Sequence, residues 1–378
     1  MKEIYLDNAA TTKIDSEVLK EMNKIQLKKY GNPSSLHTNG REAKREIEKA
    51  RKIIAKSINA KSEEIIFTSG GTEGNNLALK GLYFANKEKN HIIITKIEHD
   101  CILNAARWLE KQGARVDYLD VDKEGFIDIE DLKNKITKKT LVVSVIHGNN
   151  EIGTIQDIEK IGKLCREKGV YFHIDACQSY TKTEINVRKQ NLDLVTLNSH
   201  KIHGPKGVGA LYIKKEIKIS PISHGGGHEK GIRSGTENTP GVVGFALAVK
   251  LAKRKYVLQM EKLRDRLIKG VMELDSVSLN GPRNRLCNNI NLRFNNIEGE
   301  AIGGYLDSYG IASSTGSACS NLTQGSSHVL KAIGLSDLKA NSSIRLSLSR
   351  ETTEEEIDKT IKILKKVVKR LRMISPIK

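Results

Sequence analysis

DLVTLNSHKIHGPKGVG, residues 193–209, is the stretch whose reading decides the fold. Asp193 to Leu197 is short, alternating and rich in β-branched side chains, which predicts a strand. It runs into a polar turn holding His200 and Lys201. Gly204, Pro205, Gly207 and Gly209 then punctuate a tight return into the apolar run Val208 to Ile213. Lys201 therefore stands just past a strand end, where ligands bind in open α/β sheets. A carboxylate, Asp175, occupies the end of the preceding predicted strand.

Outward from this stretch, short apolar runs recur at Ile65 to Phe67, His91 to Thr95, Arg115 to Leu119, Leu141 to Ile146 and Val170 to Asp175. Helical periodicity falls between most of them, as in Asp100 to Lys111 and Asp157 to Lys168, with Glu17 to Tyr30 and Arg41 to Ile58 ahead of them. The fold class predicted is α/β, a mostly parallel sheet with helices on both faces. Past HGGGHEKGIRSGTENTPG the pattern changes to one long helical run over Gly241 to Leu274. Beyond it come a strand at Asn289 to Phe294, a helix at Glu298 to Ser308, an irregular loop of small residues, a strand near Ile344 to Leu348 and a last helix. This divides the chain into an N-terminal arm (1–15), a large domain (16–255) and a smaller C-terminal α+β domain (256–378). In the last helix Ile357, Ile361, Leu364, Val368 and Leu371 recur at helical spacing and form a docking face.

The 378 residues are enough for a large domain plus a small one, with 38% hydrophobic residues and no repeat or low-complexity segment. The net charge of +18 would suit a nucleic-acid partner. The basic residues, however, are mixed with glutamates along helices, as in REAKREIEKARK at 41–52, which is the pattern of a solvated helix face. Nucleic acid is therefore not expected as a main partner. Five cysteines (Cys101, Cys165, Cys177, Cys287 and Cys319) are odd in number and contain no CxxC pair, against a disulfide framework or a local zinc site and for a reducing compartment. MKEIYLDNAATTKID has no apolar core of signal-peptide length, and no run approaches a membrane span, so the expected location is the cytoplasm.

Polar clusters follow four more strand ends. TSGGTEGNN supplies Gly70, Gly71 and Thr72 at a helix start, an anion cradle that is neither a Walker loop nor a dinucleotide fingerprint. KIEHD supplies His99, HGNNEIG supplies Asn149 and Asn150, and HIDACQ supplies Asp175 and Gln178. An amine, a strand-end carboxylate, a phosphate cradle and a histidine are the parts that pyridoxal phosphate chemistry requires: a Schiff-base amine, a partner for the pyridine nitrogen, phosphate donors and a stacking or proton-handling group. Hydride transfer or kinase chemistry would require other parts.

In YLDNAATT, TSGGTEGNNLALKG, EHD, NNEIGT, HIDACQS, SHKIHGPKGVGALY, GIRSGTEN, SSTGSACS and SIRLSLSRETTEEEID the chain resembles the cysteine desulfurases, pyridoxal phosphate enzymes of the class V aminotransferase family. The resemblance spans nearly the whole chain and implies fold type I of those enzymes. It implies that Lys201 bonds to the cofactor, Asp175 pairs with the pyridine nitrogen and His99 stacks on the ring and moves protons. Gln178 and Asn150 would hold the ring oxygen and the substrate, Gly71, Thr72 and His200 the phosphate, and Thr236 the phosphate of a partner subunit in a homodimer. Arg345 would clamp the carboxylate of L-cysteine. Cys319 would take the substrate sulfur as a persulfide for an acceptor or scaffold protein serving iron-sulfur assembly or tRNA thiolation, and whether it also ligates a transferred cluster stays open. Cys177 is expected to be a packed thiol at a helix start, and Cys101, Cys165 and Cys287 to be core. One departure stands out: relatives carry serine where this chain has Asn198. Selenocysteine lyase or another β-elimination enzyme of the same fold is the alternative, and a basic scaffold or RNA-binding protein the non-enzyme one.

Overall fold

The computed structural model describes residues 3–316 and 325–374, so Cys319 lies outside the described residues. A seven-stranded sheet organises the larger part. Its strands are β2 (Ile65–Thr68), β3 (His91–Thr95), β4 (Arg115–Leu119), β5 (Thr140–Ile146), β6 (Tyr171–Asp175), β7 (Leu194–Asn198) and β8 (Gly209–Ile213), in spatial order β2-β8-β7-β6-β5-β3-β4. Strands β3 to β7 pair in parallel, while β8 runs antiparallel to both β7 and β2. The central strands read as continuous apolar runs because both faces are covered. Ile93, Val143, Val145, Phe172 and Val195 enter one core, whereas Ile92, Ile94, Val142 and Leu194 enter the core on the opposite face. That is the two-residue period of a strand applied to burial on both sides.

Helices fill the connections: α3 (Gly71–Ala85) and α4 (Asp100–Glu110) cover one face, and α1 (Ser16–Lys28), α2 (Thr38–Ser57), α6 (Ile158–Glu167) and α7 (Thr239–Leu251) the other. A seventh short helix, α5 (Ile129–Lys135), lies between β4 and β5. Five strand ends, those of β2, β3, β5, β6 and β7, open on the same edge, because these strands all run in one direction. That edge is where the candidate residues sit.

The helical run expected over Gly241 to Leu274 is two helices. Ala252 (ψ 114°) and Lys253 (φ −120°, ψ 144°) are extended, and α8 (Arg254–Val271) starts anew. No Gly or Pro marks the break. It exists because α7 buries Val242, Phe245, Ala246 and Ala248 in the sheet core, whereas α8 buries Val257, Met260, Leu263 and Leu267 in a separate one. That second core is built on a three-stranded antiparallel sheet, β9 (Val277–Leu279), β10 (Asn289–Phe294) and β12 (Ser343–Ser347), with α9 (Gly299–Ser308) and α12 (Glu354–Ile374) packed on it. β1 (Ile4–Tyr5) pairs with β11 (Ile311–Ala312), and Ile4 and Leu6 belong to the same core. Among the described residues, no helix is long and apolar enough to cross a membrane.

The loop after β8 is tied down by a buried pair. Arg51 of α2 donates from Nη2 and Nη1 to the two carboxylate oxygens of Glu229 at 2.7 and 2.8 Å, and the N–H of Phe67 donates to the same carboxylate at 2.7 Å. Glu229 and Lys230 hold positive φ (45° and 62°) there, a conformation costly outside glycine that these bonds offset.

Candidate active site

The carboxyl ends of the parallel strands enclose a cavity of about 180 Å³ lined by Gly71, Thr72, His99, Asn150, Asp175, Gln178, His200 and Lys201, together with Asn75, Cys101, Cys177 and Asn198. Eight residues singled out from five separate stretches of sequence thus meet in one hollow. Arg345 does not line it but reaches it through Asn150: Nη1 donates to the carbonyl of Asn150 at 3.2 Å, Nη2 pairs with Asp7 at 2.8 Å, and Nε is buried without a partner among the described residues. Thr236 is exposed and does not line this cavity. Cys319 cannot be placed, being outside the described residues.

Asp175 ends β6, and its carboxylate is held at both oxygens. Oδ1 accepts from the N–H of Cys177 at 2.9 Å, and Oδ2 accepts from Asn75 Nδ2 at 2.7 Å. Burial pushes this carboxyl up, but the His99 ring, the Cys177 N–H and the Lys201 ammonium together outweigh it, and the group lies below its ordinary range. The result is a fixed anion in a buried place, able to face a cation. His99 caps the N-terminus of α4, its Nδ1 accepting from the N–H of Cys101 at 3.2 Å. Burial first, and then the nearby Lys201 charge, lower its pKa. His200 is pushed down to about 4 by burial and then by Lys201 and Lys206. The carbonyls of the turn that presents Lys201 are bound from outside: Thr12 holds that of His200 from both its N–H (2.9 Å) and Oγ1 (2.8 Å), and Lys182 Nζ reaches those of Gln178 (2.8 Å) and Lys201 (3.4 Å).

Two of the cysteine expectations need correction. Cys177 is not at a helix start but in a turn, because Asp175 draws its N–H into a side-chain bond instead of a helix. It is buried beside the cavity, and burial followed by the Asp175 charge raises its thiol pKa well above the usual value. Cys165 and Cys287 are buried as expected, but Cys101 is only partly buried: it packs against the core and also lines the cavity, since the first turn of α4 faces the strand ends. Burial first, then Asp175, pushes it up to about 12. Three further residues carry weight that the sequence reading missed: Asn75, Cys101 and Lys182. The first two had a signal, for Asn75 follows Gly71 by one helical turn and Cys101 follows His99 by two positions at a helix start.

Glu98, next to His99, shows what the site costs the fold. It is fully buried: Oε1 accepts from Thr95 Oγ1 (2.7 Å) and the N–H of Ile146 (2.8 Å), while Oε2 has no partner among the described residues. Burial raises its pKa from 4.5 to about 8, so the folded protein keeps the proton that the unfolded chain loses. In that window the native state binds more protons than the unfolded one, and stability falls as pH rises from 4.5 to 8. Glu98→Gln, which keeps the shape without the ionisation, should gain on wild type over that range by on the order of 3 kcal/mol. Parallel urea titrations of both proteins at pH 5 and pH 8 check this, and an equal stability difference at the two pH values would contradict it.

The cavity can be tested against the pyridoxal phosphate that the resemblance implies. The helix α3 begins at Gly71 with no side-chain cap on its N–H groups, since Gly70 precedes it. A Cβ at Gly71 would lie 2.5 Å from Cys177 Sγ, so the cradle is kept open by glycine. Uncapped N–H groups at one end, a fixed carboxylate at the other and an amine between strand ends suit a molecule carrying a phosphate, a pyridine nitrogen and an aldehyde. The residues present fit the group.

The aminotransferase class-V family model matches residues 4–360. Cysteine desulfurase IscS of Clostridium botulinum (strain Hall) is 49% identical over 384 residues, covering 100% of this chain and 97% of that protein. Among solved structures, a NifS-like protein superposes with a TM-score of 0.91 at 38% identity over 98% of this chain and 100% of the other. SspA in complex with cysteine superposes with a TM-score of 0.84 at 36% identity over 93% and 100%. With its sheet, its cavity and these likenesses agreeing over nearly its full length, the chain belongs to the class V aminotransferase family.

Proposed function

We propose that this protein is a cysteine desulfurase that converts L-cysteine to L-alanine and passes the sulfur, as a persulfide on Cys319, to an acceptor protein. The observation that carries the reading is the meeting of Asp175, Lys201, His99 and the Gly71 cradle in one cavity. Bound pyridoxal phosphate supplies an electron sink for the bond cleavage at the substrate's α and β carbons. Gly71 and Thr72 with His200 would hold its phosphate, Asp175 its ring nitrogen and Lys201 its aldehyde.

The residues of the chain do the rest. Arg345 carries a planar fork suited to the substrate carboxylate, and its Nη1 and Nη2, held by the carbonyl of Asn150 and by Asp7, would exchange those partners for it. Lys201 is the side-chain amine in the cavity that would take the α proton. Asp175 keeps the opposite end of the site anionic while that charge is delocalised. The thiolate of Cys319 attacks the substrate sulfur, the carbon–sulfur bond breaks with its electron pair left on carbon, a proton delivered by way of His99 goes to the β carbon, and Lys201 returns the proton to the α carbon to complete alanine. The acceptor thiol has to receive the sulfur in one place and give it up in another.

Thr236, exposed on the loop that the Arg51–Glu229 pair anchors, suits the phosphate site of a second copy in a homodimer. Iron-sulfur assembly is the pathway this reading favours, in the cytoplasm. Absorption spectra of the purified protein before and after L-cysteine, with an alanine assay on the same sample, test the reading: a band that shifts and alanine that accumulates support it, and a colourless protein sinks it. Asp175→Asn should bind the cofactor yet lose about 10²–10³-fold in kcat, because a neutral amide no longer holds charge opposite the ring nitrogen. Steady-state rates at saturating L-cysteine check that, and a loss under threefold would remove Asp175 from its role.

A further inference from the structure

A chain of hydrogen bonds crosses the floor of the cavity through two residues that have no role above. Asn75 is fully buried on α3. Its amide nitrogen donates one hydrogen to Asp175 Oδ2 at 2.7 Å and the other to Cys101 Sγ at 3.2 Å. Cys101 Sγ lies 3.1 Å from His99 Nδ1, and the Cys101 N–H lies 3.2 Å from the same atom.

Every direction in this chain is determined. A carboxylate only accepts, so the nitrogen of the Asn75 amide must face Asp175. The opposite orientation would set the amide oxygen against the carboxylate, and the observed one persists although it leaves Asn75 Oδ1 buried without a partner among the described residues. A sulfur that accepts from Asn75 has its own hydrogen to give, and His99 Nδ1 is the acceptor in reach. A backbone N–H only donates, so Nδ1 carries a lone pair and the hydrogen of the neutral ring is on Nε2. Nδ1 cannot take up a proton without breaking both contacts.

We propose that Asn75 and Cys101 are positioning residues that lock His99 in the tautomer with its hydrogen on Nε2 and tie that ring to Asp175, so that His99 meets the substrate with its Nε2–H alone. The functional half of this rests on the desulfurase reading; the tautomer does not. Asp175 and His99 are thereby oriented by one shared amide, and a disturbance at Asn75 reaches both.

The test uses the full-length holoenzyme labelled with 15N in its histidine rings. The His99 resonances of the wild type should show an unprotonated Nδ1 and a protonated Nε2, and a protonated Nδ1 would overturn the proposal outright. Asn75→Ala should lower kcat about tenfold with KM changed less than twofold, the size expected for losing two bonds of a buried network. Its His99 nitrogen shifts should move toward the mean of the two tautomers. Cys101→Ala, a small change at a partly buried site, should give the same shifts in milder form and a kcat lower by about threefold, and Cys101→Ser, which keeps a donor and an acceptor, should restore both. Variants that leave the His99 shifts and kcat at wild-type values would refute the positioning role. Failure to form alanine with the Nε2 tautomer intact would instead refute the desulfurase reading and leave the tautomer standing.

Discussion

Lys201→Ala protein is expected to lose the visible absorption of covalently held cofactor and to release alanine from L-cysteine at least about 10⁴-fold more slowly than wild type. The effect should be this large because Lys201 has two tasks, holding the aldehyde and taking the α proton, and because it supplies the one side-chain amine lining the cavity among the described residues. Its nearest substitute, Lys182, has its Nζ committed to the carbonyls of Gln178 and Lys201. The cradle at Gly71 and the carboxylate of Asp175 are untouched, so the variant should still take up cofactor, more weakly. Spectra after gel filtration and single-turnover alanine release measure both parts. Retention of the wild-type spectrum would mean that another amine does the work.

Cys319→Ala should abolish alanine release, by about 10³-fold or more, while the spectral response to L-cysteine survives. Here the rival thiols decide the matter. Cys101 and Cys177 both border the cavity, so proximity alone would allow either to receive the sulfur. Neither is available as a thiolate: with Cys101 pushed up to about 12, its ionised fraction at neutral pH is on the order of one part in 10⁵, and Cys177 is raised well above its ordinary value as well. Their burial beside a carboxylate is what stops them substituting for Cys319. Rapid mixing with L-cysteine followed by alanine quantification is the check. A Cys319→Ala enzyme that turns over at the wild-type rate would transfer the role to one of these two thiols.

The sheet was legible because its strands are covered on both faces: Ile92, Ile93 and Ile94 or Val142, Val143 and Val145 cannot be mistaken for an amphipathic pattern, and polar clusters directly after them mark the strand ends. The candidate site was legible for the same reason, since parallel strands send Gly71, His99, Asn150, Asp175 and Lys201 to one edge whatever the details of packing. What the sequence hid is whatever depends on side-chain partners. The break at Ala252 and Lys253 follows from two cores competing for successive helices, and no local residue announces it. Cys101 read as core because its periodicity is that of α4, but position in a helix does not say that the first turn overhangs a cavity. Lys182 looks in sequence like any other lysine of a basic chain; only the approach of two carbonyls distinguishes it.

The first strand carries one more implication, which concerns the order in which the molecule is made. Asn8 donates to the carbonyl of Ser347, 339 positions away, Ile4 pairs with Ile311, and Thr12 grips the turn at His200 and His203. Translation delivers this strap 339 positions ahead of the Ser347 carbonyl that receives Asn8. The larger sheet can collapse while synthesis continues, but the strap has to wait, loose, until the carboxyl-terminal sheet exists to receive it. Asp7 and Asn8 can therefore take up Arg345 and Ser347 only once that sheet has been made, so this side of the cavity closes late.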